Sequence, residues 1–243
     1  MSLNNCYHDK ILNMLDNQKK DKKIKSLFDN FDSNNIHYIL IGGAIRDVIN
    51  NKQPRDIDLI LNIDNEKVFE KIICENKIIY KKNNFNGYKL FFDNICYDIW
   101  LLNNHYSFKE SYYKKNIKNI KDTTFFNYDS LMFDVREQYL EMSYYEQCVK
   151  DKLIDLVGKD QVVNNNPTPV MNIAKAFKIK KETDYNLSEK LIDYIIRFIE
   201  LKGSDNLYSE IIAEYTRHYG SKVLDDYRIY IYETLNLLDK SKI

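Results

Sequence analysis

The sequence predicts an α+β protein in which a mixed sheet with flanking helices is followed by an all-helical half. Three observations predict it. Short apolar runs bounded by turn residues crowd the stretch from Ile36 to Leu102, and runs of that length between turn signals suit strands. From Ser143 onward the apolar residues recur at steps of three and four, the period of an amphipathic helix. Strands early and helices late separate a strand-bearing domain over residues 1–140 from a helical domain over residues 141–243.

Each element follows from local signals. Up to Asp32 the chain reads as helical, with Ile24, Leu27, Phe28 and Phe31 on one face. Ile36–Ile41 is a short apolar strand that stops at Gly42-Gly43, and Ala44–Asn50 suits a helix opening off that turn. A strand over Ile57–Leu61 and a helix over Asn65–Cys74 come next. Residues 77–102 read as a meander of three strands, with Asn86-Gly87 as a hairpin signal because both residues tolerate positive φ. Asn103–Thr124 is polar and reads as a mobile loop, and Phe126–Tyr139 returns to a strand-like pattern. In the second half, Asn186 and Glu189 suit a capping box ahead of a helix carrying Tyr194, Ile195, Phe198 and Ile199. Ile211, Ile212, Tyr215 and Tyr219 repeat the spacing, as do Tyr227, Ile231, Leu235 and Leu238.

Composition bounds the function classes. Hydrophobic residues make up 44% of the 243 and charged residues 30%, a globular mixture. Basic and acidic residues number 36 each, so no global field draws the chain onto nucleic acid and any such contact is local. Cys6, Cys74, Cys96 and Cys148 are scattered, which points to reduced thiols rather than a zinc site or disulfide framework. His8, His37, His105 and His218 show no metal spacing. No membrane-length apolar run or signal-peptide core is visible, and a soluble cytoplasmic protein is expected.

The chemistry concentrates in a few positions. Asp56 and Asp58 lie two apart on a strand, so both side chains take one face while Arg55, Ile57 and Leu59 take the other. Two anions that close call for a cation, and Mg2+ suits carboxylate oxygens while leaving room for phosphate. Asp98 interrupts an otherwise apolar strand, Ile95–Trp100, and a carboxylate there needs a partner. Beside the first two it would complete a site for two metal ions; its alternative is a strand carboxylate paired with Lys or Arg. Gly42 and Gly43 suit a phosphate at a helix start. Arg46 and Asp47 either contact substrate or form an internal salt bridge that orients the loop. Lys114, Lys115, Lys118 and Lys121 lie among Tyr106, Phe108, Tyr112 and Tyr113, a candidate nucleic-acid patch whose alternative is a solvated face.

Ile39-Leu40-Ile41-Gly42-Gly43-Ala44-Ile45-Arg46-Asp47, followed by Pro54-Arg55-Asp56-Ile57-Asp58-Leu59, resembles the head signature of tRNA CCA-adding enzymes and bacterial poly(A) polymerases, within the DNA polymerase beta superfamily of nucleotidyltransferases. Phe126-Asn127-Tyr128-Asp129-Ser130-Leu131-Met132-Phe133-Asp134 resembles a later segment of that head, and Asn166-Pro167 with the helix after it resembles the neck entrance. The resemblance spans residues 33 to 200 and implies a polymerase-beta-like head followed by a helical neck-like domain. It implies that Gly42 and Gly43 contact the triphosphate, that Asp56 and Asp58 bind two Mg2+ ions, and that Asp98 is the third carboxylate. An NTP substrate and an RNA 3′ end, such as that of tRNA, are the partners it implies.

The departures are local. The family's Arg-Arg-Asp ahead of the later head segment is replaced by Thr123-Thr124-Phe125, and Pro169, Asn172 and Lys175 fall near the base-reading arginines of the neck. Retained metal chemistry with altered base selection is therefore expected. Nucleotidyl transfer to a small molecule or a protein, and a non-catalytic binding protein on the same fold, are the alternatives.

Overall fold

A computed structural model of the protein describes residues 3–219 and 224–240. Residues 1–2, 220–223 and 241–243, which fall within the two expected domains, lie outside the described residues. The chain divides into two compact units, Met1–Thr124 with Asp129–Tyr145, and Phe125–Tyr128 with Glu146–Ile243.

In the first unit, α1 (Leu3–Gln18) and α2 (Lys22–Ser33) precede β1 (His37–Ile41), α3 (Gly43–Ile49), β2 (Asp56–Asn62) and α4 (Glu66–Glu75). Then come β3 (Ile79–Lys82), β4 (Tyr88–Phe91), β5 (Cys96–Leu101), the short α5 (Tyr106–Lys109), β6 (Met132–Asp134) and β7 (Tyr139–Glu141). The seven strands form one sheet in the order β3-β4-β5-β2-β1-β6-β7. Only β2 and β5 run parallel; the other neighbours are antiparallel.

The pleat gives the sheet two unlike faces. One row across it reads Tyr88, Ile99, Leu59, Leu40 and Phe133. All five are buried, and Phe28, Phe31 and Phe69 of α2 and α4 pack rings on Tyr38, Tyr88 and Tyr97 of that face. Each such fully buried side chain contributes about 1.5–3 kcal/mol of transfer free energy. The expected face of Ile24, Leu27, Phe28 and Phe31 is the buried one. Asp21 sets the start of α2 by accepting hydrogen bonds from the Lys23 and Ile24 amides at 2.7 and 3.1 Å.

The opposite row reads Lys89, Asp98, Asp58, Ile41 and Met132. It is polar at the β4–β5–β2 end and apolar at the other. Over the apolar part, Leu102, Phe108 and Ile120 pack on Ile39, Ile60 and Met132, with Tyr113 against the cluster. The segment read as a mobile loop is thus a structured cover, built from α5 and 3-10 turns over Leu102–Asn104 and Ile117–Thr123. Its apolar residues are too sparse for a helical period, yet Phe108, Tyr113, Ile117 and Ile120 are anchored on the sheet. The proposed stacking face is changed accordingly: Phe108 and Tyr113 point to the core, and Lys121 pairs with Glu141 at 3.3 Å.

Two turns depart from the sequence reading. The β3–β4 connection is the longer loop Asn83–Gly87, in which only Asn86 has positive φ, at 62°. The Asn83 side chain accepts from the Phe85 and Gly87 amides, both at 2.9 Å, and so builds the turn. Gly87 is needed for space: a Cβ there would meet the Trp100 ring at 2.7 Å. Only Met132–Asp134 and Tyr139–Glu141 of the Phe126–Tyr139 region and its flank are strands, because Asn127 is tied elsewhere. Its side chain donates to the Leu153 carbonyl and accepts from the Asp155 amide, each at 2.9 Å.

The second unit holds most of α6 (Ser143–Asp151), then β8 (Leu153–Ile154), α7 (Asp160–Asn164), α8 (Pro169–Thr183), β9 (Asn186–Leu187), α9 (Glu189–Lys202), α10 (Ser204–Tyr219) and α11 (Leu224–Lys240). β8 and β9 make a two-residue parallel pair, a small addition to the helical half. The apolar steps read from sequence converge, with Tyr194, Ile195, Ile211, Tyr215, Ile231 and Leu235 in one core. The cap of α9 is Ser188, whose hydroxyl accepts from the Leu191 amide at 3.1 Å; Asn186 lies in β9 instead. Among the described residues no helix is long and apolar enough to cross a membrane, and the four cysteines are free thiols.

Candidate active site

β1 ends where the chain must turn sharply. Gly42 takes φ 71° and ψ −132°, a combination L-residues avoid. A Cβ there would meet nothing nearer than the Asp129 carbonyl at 3.9 Å, so conformation rather than crowding requires glycine. Its amide donates to the Leu131 carbonyl at 2.9 Å, and Gly43 opens α3. Arg46, one turn into α3, donates to Asp47 Oδ1 at 3.0 Å from Nη2 and pairs with Asp129 through Nη1. The structure thus places Arg46 and Asp47 in an internal ion-pair network that ties α3 to the segment before β6. Asp129 was not singled out from sequence; its position within the Phe126–Asp134 resemblance was the available signal.

Asp56 and Asp58 open β2, and the pattern of burial alternates as the pleat demands, with Ile57 and Leu59 fully buried between and beyond them. β5 runs parallel to β2 in the register Asp56↔Cys96 and Asp58↔Asp98. Side chains directly paired in register emerge on the same face. Asp58 and Asp98 are therefore neighbours across two strands, with Asp56 one step along. The backbone brings the three expected carboxylates to one face, next to the end of β1, where Ile41 pairs with Asp58.

Two basic residues complete the constellation. Arg55 Nη2 donates to Asp56 Oδ2 at 2.6 Å. Lys89, paired in register with Asp98 across β4 and β5, donates from Nζ to Asp98 Oδ2 at 2.9 Å. Partial burial works against a charged Lys89, but the hydrogen bond and charge of Asp98, with the further negative charge of Asp56, hold its pKa above the ordinary lysine value. Lys89 was missed in the sequence. Its signal was the alternation of Tyr88-Lys89-Leu90, legible only once the loop before β4 is known.

With those ion pairs in place, no three His, Cys, Asp or Glu side chains among the described residues group closely enough to hold a metal ion. The donor set still fits a hard divalent cation in kind and in backbone placement. All three donors are carboxylates, Asp56 and Asp98 are each 24% exposed, and their partners Arg55 and Lys89 are 66% and 38% exposed. Ion pairs that exposed are worth about 0–1 kcal/mol each, small against the attraction of clustered carboxylates for a divalent ion.

No protein-family model matches the sequence, and no curated protein matches it. Among solved structures, the chain is similar to a CCA-adding enzyme in its apo form, with TM-score 0.65 and 14% identity, covering 95% of this chain and 54% of that one. A tRNA-processing enzyme solved with CTP gives TM-score 0.63 at 14% identity, over 87% of this chain and 56% of that one. A tRNA nucleotidyltransferase complexed with a primer tRNA and an incoming ATP analogue gives 0.62 at 14% identity, over 87% and 60%. The chain spans a little over half the length of the structures it matches. The chain, with its seven-stranded mixed sheet and helical second unit, thus shares the fold of these tRNA-processing and CCA-adding enzymes over 87% to 95% of its length.

Proposed function

We propose that the protein is a metal-dependent nucleotidyltransferase that moves an NMP from an NTP to a hydroxyl acceptor and releases pyrophosphate. The observation that carries this reading is the register of β2 and β5, which sets Asp58 beside Asp98 and Asp56 one step away on the same face. Asp56 and Asp58 would hold two Mg2+ ions, and Asp98 would complete the set. When bound, the ions supply positive charge at the attacking and leaving oxygens of an in-line displacement.

The chain's own residues have distinct tasks. The Gly42-Gly43 turn would receive the triphosphate, with the Gly43 amide at the start of α3 as donor, while Gly42, whose own amide is taken by the Leu131 carbonyl, shapes the backbone there. Arg46, held by Asp47 and Asp129, braces that turn rather than reaching for substrate. Asp98 takes the proton of the acceptor hydroxyl, whose oxygen bonds to the α-phosphorus while the bond from that phosphorus to the bridging oxygen breaks. The electron pair and negative charge leave with pyrophosphate.

The acceptor that the fold favours is an RNA 3′ end, tRNA-like in kind. Thr123-Thr124-Phe125, and Pro169, Asn172 and Lys175 in the first half of α8, stand where arginines and an aspartate are expected to read ribose and base, so nucleotide choice is expected to differ from that of a CCA-adding enzyme. Purified protein incubated with Mg2+, each labelled NTP in turn and total RNA is expected to label RNA. Label on protein or on a small metabolite instead would make that class the acceptor. Asp58→Asn is expected to lower transfer by about 10²- to 10³-fold or more, the scale on which stabilisation of developing charge is lost, with the fold kept. Full turnover in that variant would refute the reading. A protein that neither binds metal nor releases pyrophosphate with any acceptor would be a non-catalytic member of the fold.

A further inference from the structure

We propose that Lys89 is a built-in counter-cation, which holds the metal-free carboxylate site together and is displaced from Asp98 when a divalent ion enters. The inference rests on the reading of Asp56, Asp58 and Asp98 as metal ligands. Nothing in the proposed chemistry calls for a lysine at this place.

Three observations converge on it. Lys89 is fixed by register, directly across from Asp98 on the neighbouring antiparallel strand, so its side chain rises on the carboxylate face whatever its rotamer. Its ammonium lies 2.9 Å from Asp98 Oδ2 and within the field of Asp56. Arg55 covers Asp56 in the same way, but from the flank of β2 and far more exposed. Three like charges on adjacent strands repel one another, and a cation among them relieves that repulsion. A divalent ion does so more strongly, and both cannot hold the same oxygen of Asp98. Metal entry at Asp98 is therefore an exchange, in which the flexible lysine stem swings its head group into solvent or toward the phosphates of a bound nucleotide.

The exchange makes two opposing demands that a merely structural lysine would not. Removing the charge should weaken the metal-free protein and tighten metal binding. The test uses the full chain, with Mn2+ as probe and free Mn2+ read by electron paramagnetic resonance, beside thermal melts without metal. Lys89→Met is expected to bind Mn2+ about two- to fivefold more tightly than wild type, the range of a partly screened ion pair, and to melt lower when metal is absent. Lys89→Arg, which keeps the charge, is expected to restore the wild-type melting temperature and affinity.

Wild-type binding of Mn2+ that Asp58→Asn abolishes, with no gain or a loss of affinity in Lys89→Met, would overturn the role of Lys89 alone. No Mn2+ binding by wild type or by Lys89→Met would overturn the metal reading itself, and this inference with it. A Lys89→Met protein that fails to fold is replaced in the same assay by Lys89→Gln, for which the same tightening is required.

Discussion

Gly42 is the residue on which the end of β1 depends. At φ 71° and ψ −132° an alanine would be strained by about 1–3 kcal/mol, although space for its methyl group exists. Gly42→Ala is therefore expected to lower the urea midpoint without a change in slope, and a neutral substitution would contradict the conformational account. Arg46 presents the opposite case, a side chain whose importance lies in its partners. It pairs with Asp47 and with Asp129, whose side chain is only 10% exposed. Arg46→Ala removes the guanidinium from that nearly buried carboxylate, at a cost of about 2–4 kcal/mol after discounting for solvent. Arg46→Lys is expected to recover only part of this, since one ammonium cannot address two carboxylates as a guanidinium fork does. Chemical denaturation of the three proteins checks both statements.

Among elements, the cover over the sheet and the start of α9 make the clearest demands. His105 leads into α5, and its Nδ1 meets no hydrogen-bond partner among the described residues. Burial pushes its imidazole down to about 4. Between pH 6.5 and 4 the unfolded chain therefore binds a proton that the folded chain refuses. Stability is expected to fall as pH drops through that window, by at most about 3 kcal/mol at its lower end, and His105→Phe is expected to flatten the profile. An unchanged slope would show that the imidazole reaches solvent. For α9, Ser188→Ala removes a hydroxyl that accepts from the Leu191 amide and donates to Asp155 Oδ1 at 2.5 Å, at an expected cost of about 1 kcal/mol. Asn186→Ala, at the position the capping-box spacing favoured, is expected to cost less.

At the scale of the whole molecule, what was legible in the sequence is what local chemistry encodes. The Gly42-Gly43 turn, the shared face of Asp56 and Asp58, and the helix steps of Tyr194–Ile199 and Tyr227–Leu235 each depend on neighbours within a few residues. What escaped depends on distant pairing. Lys89 meets Asp98 only through the register of β4 on β5, and Asn83 sets that register from a loop whose Asn86-Gly87 suggests a tighter hairpin. The segment of residues 102–123 is ordered by Ile39, Ile60 and Met132, three residues remote in sequence. Ser188 outcompetes Asn186 as a cap because Asn186 is taken up by its pairing with Leu153.

The central claim is that the parallel pairing of β2 and β5 assembles one metal site from Asp56, Asp58 and Asp98. Anomalous diffraction from crystals grown with Mn2+ and a non-hydrolysable NTP tests it most directly. The account requires manganese peaks within about 2.0–2.3 Å of carboxylate oxygens of Asp56 and Asp58, with Asp98 on one of the ions and Lys89 withdrawn from it. Nucleotide bound with no anomalous peak at these carboxylates, or with Asp98 still held by Lys89, would contradict it.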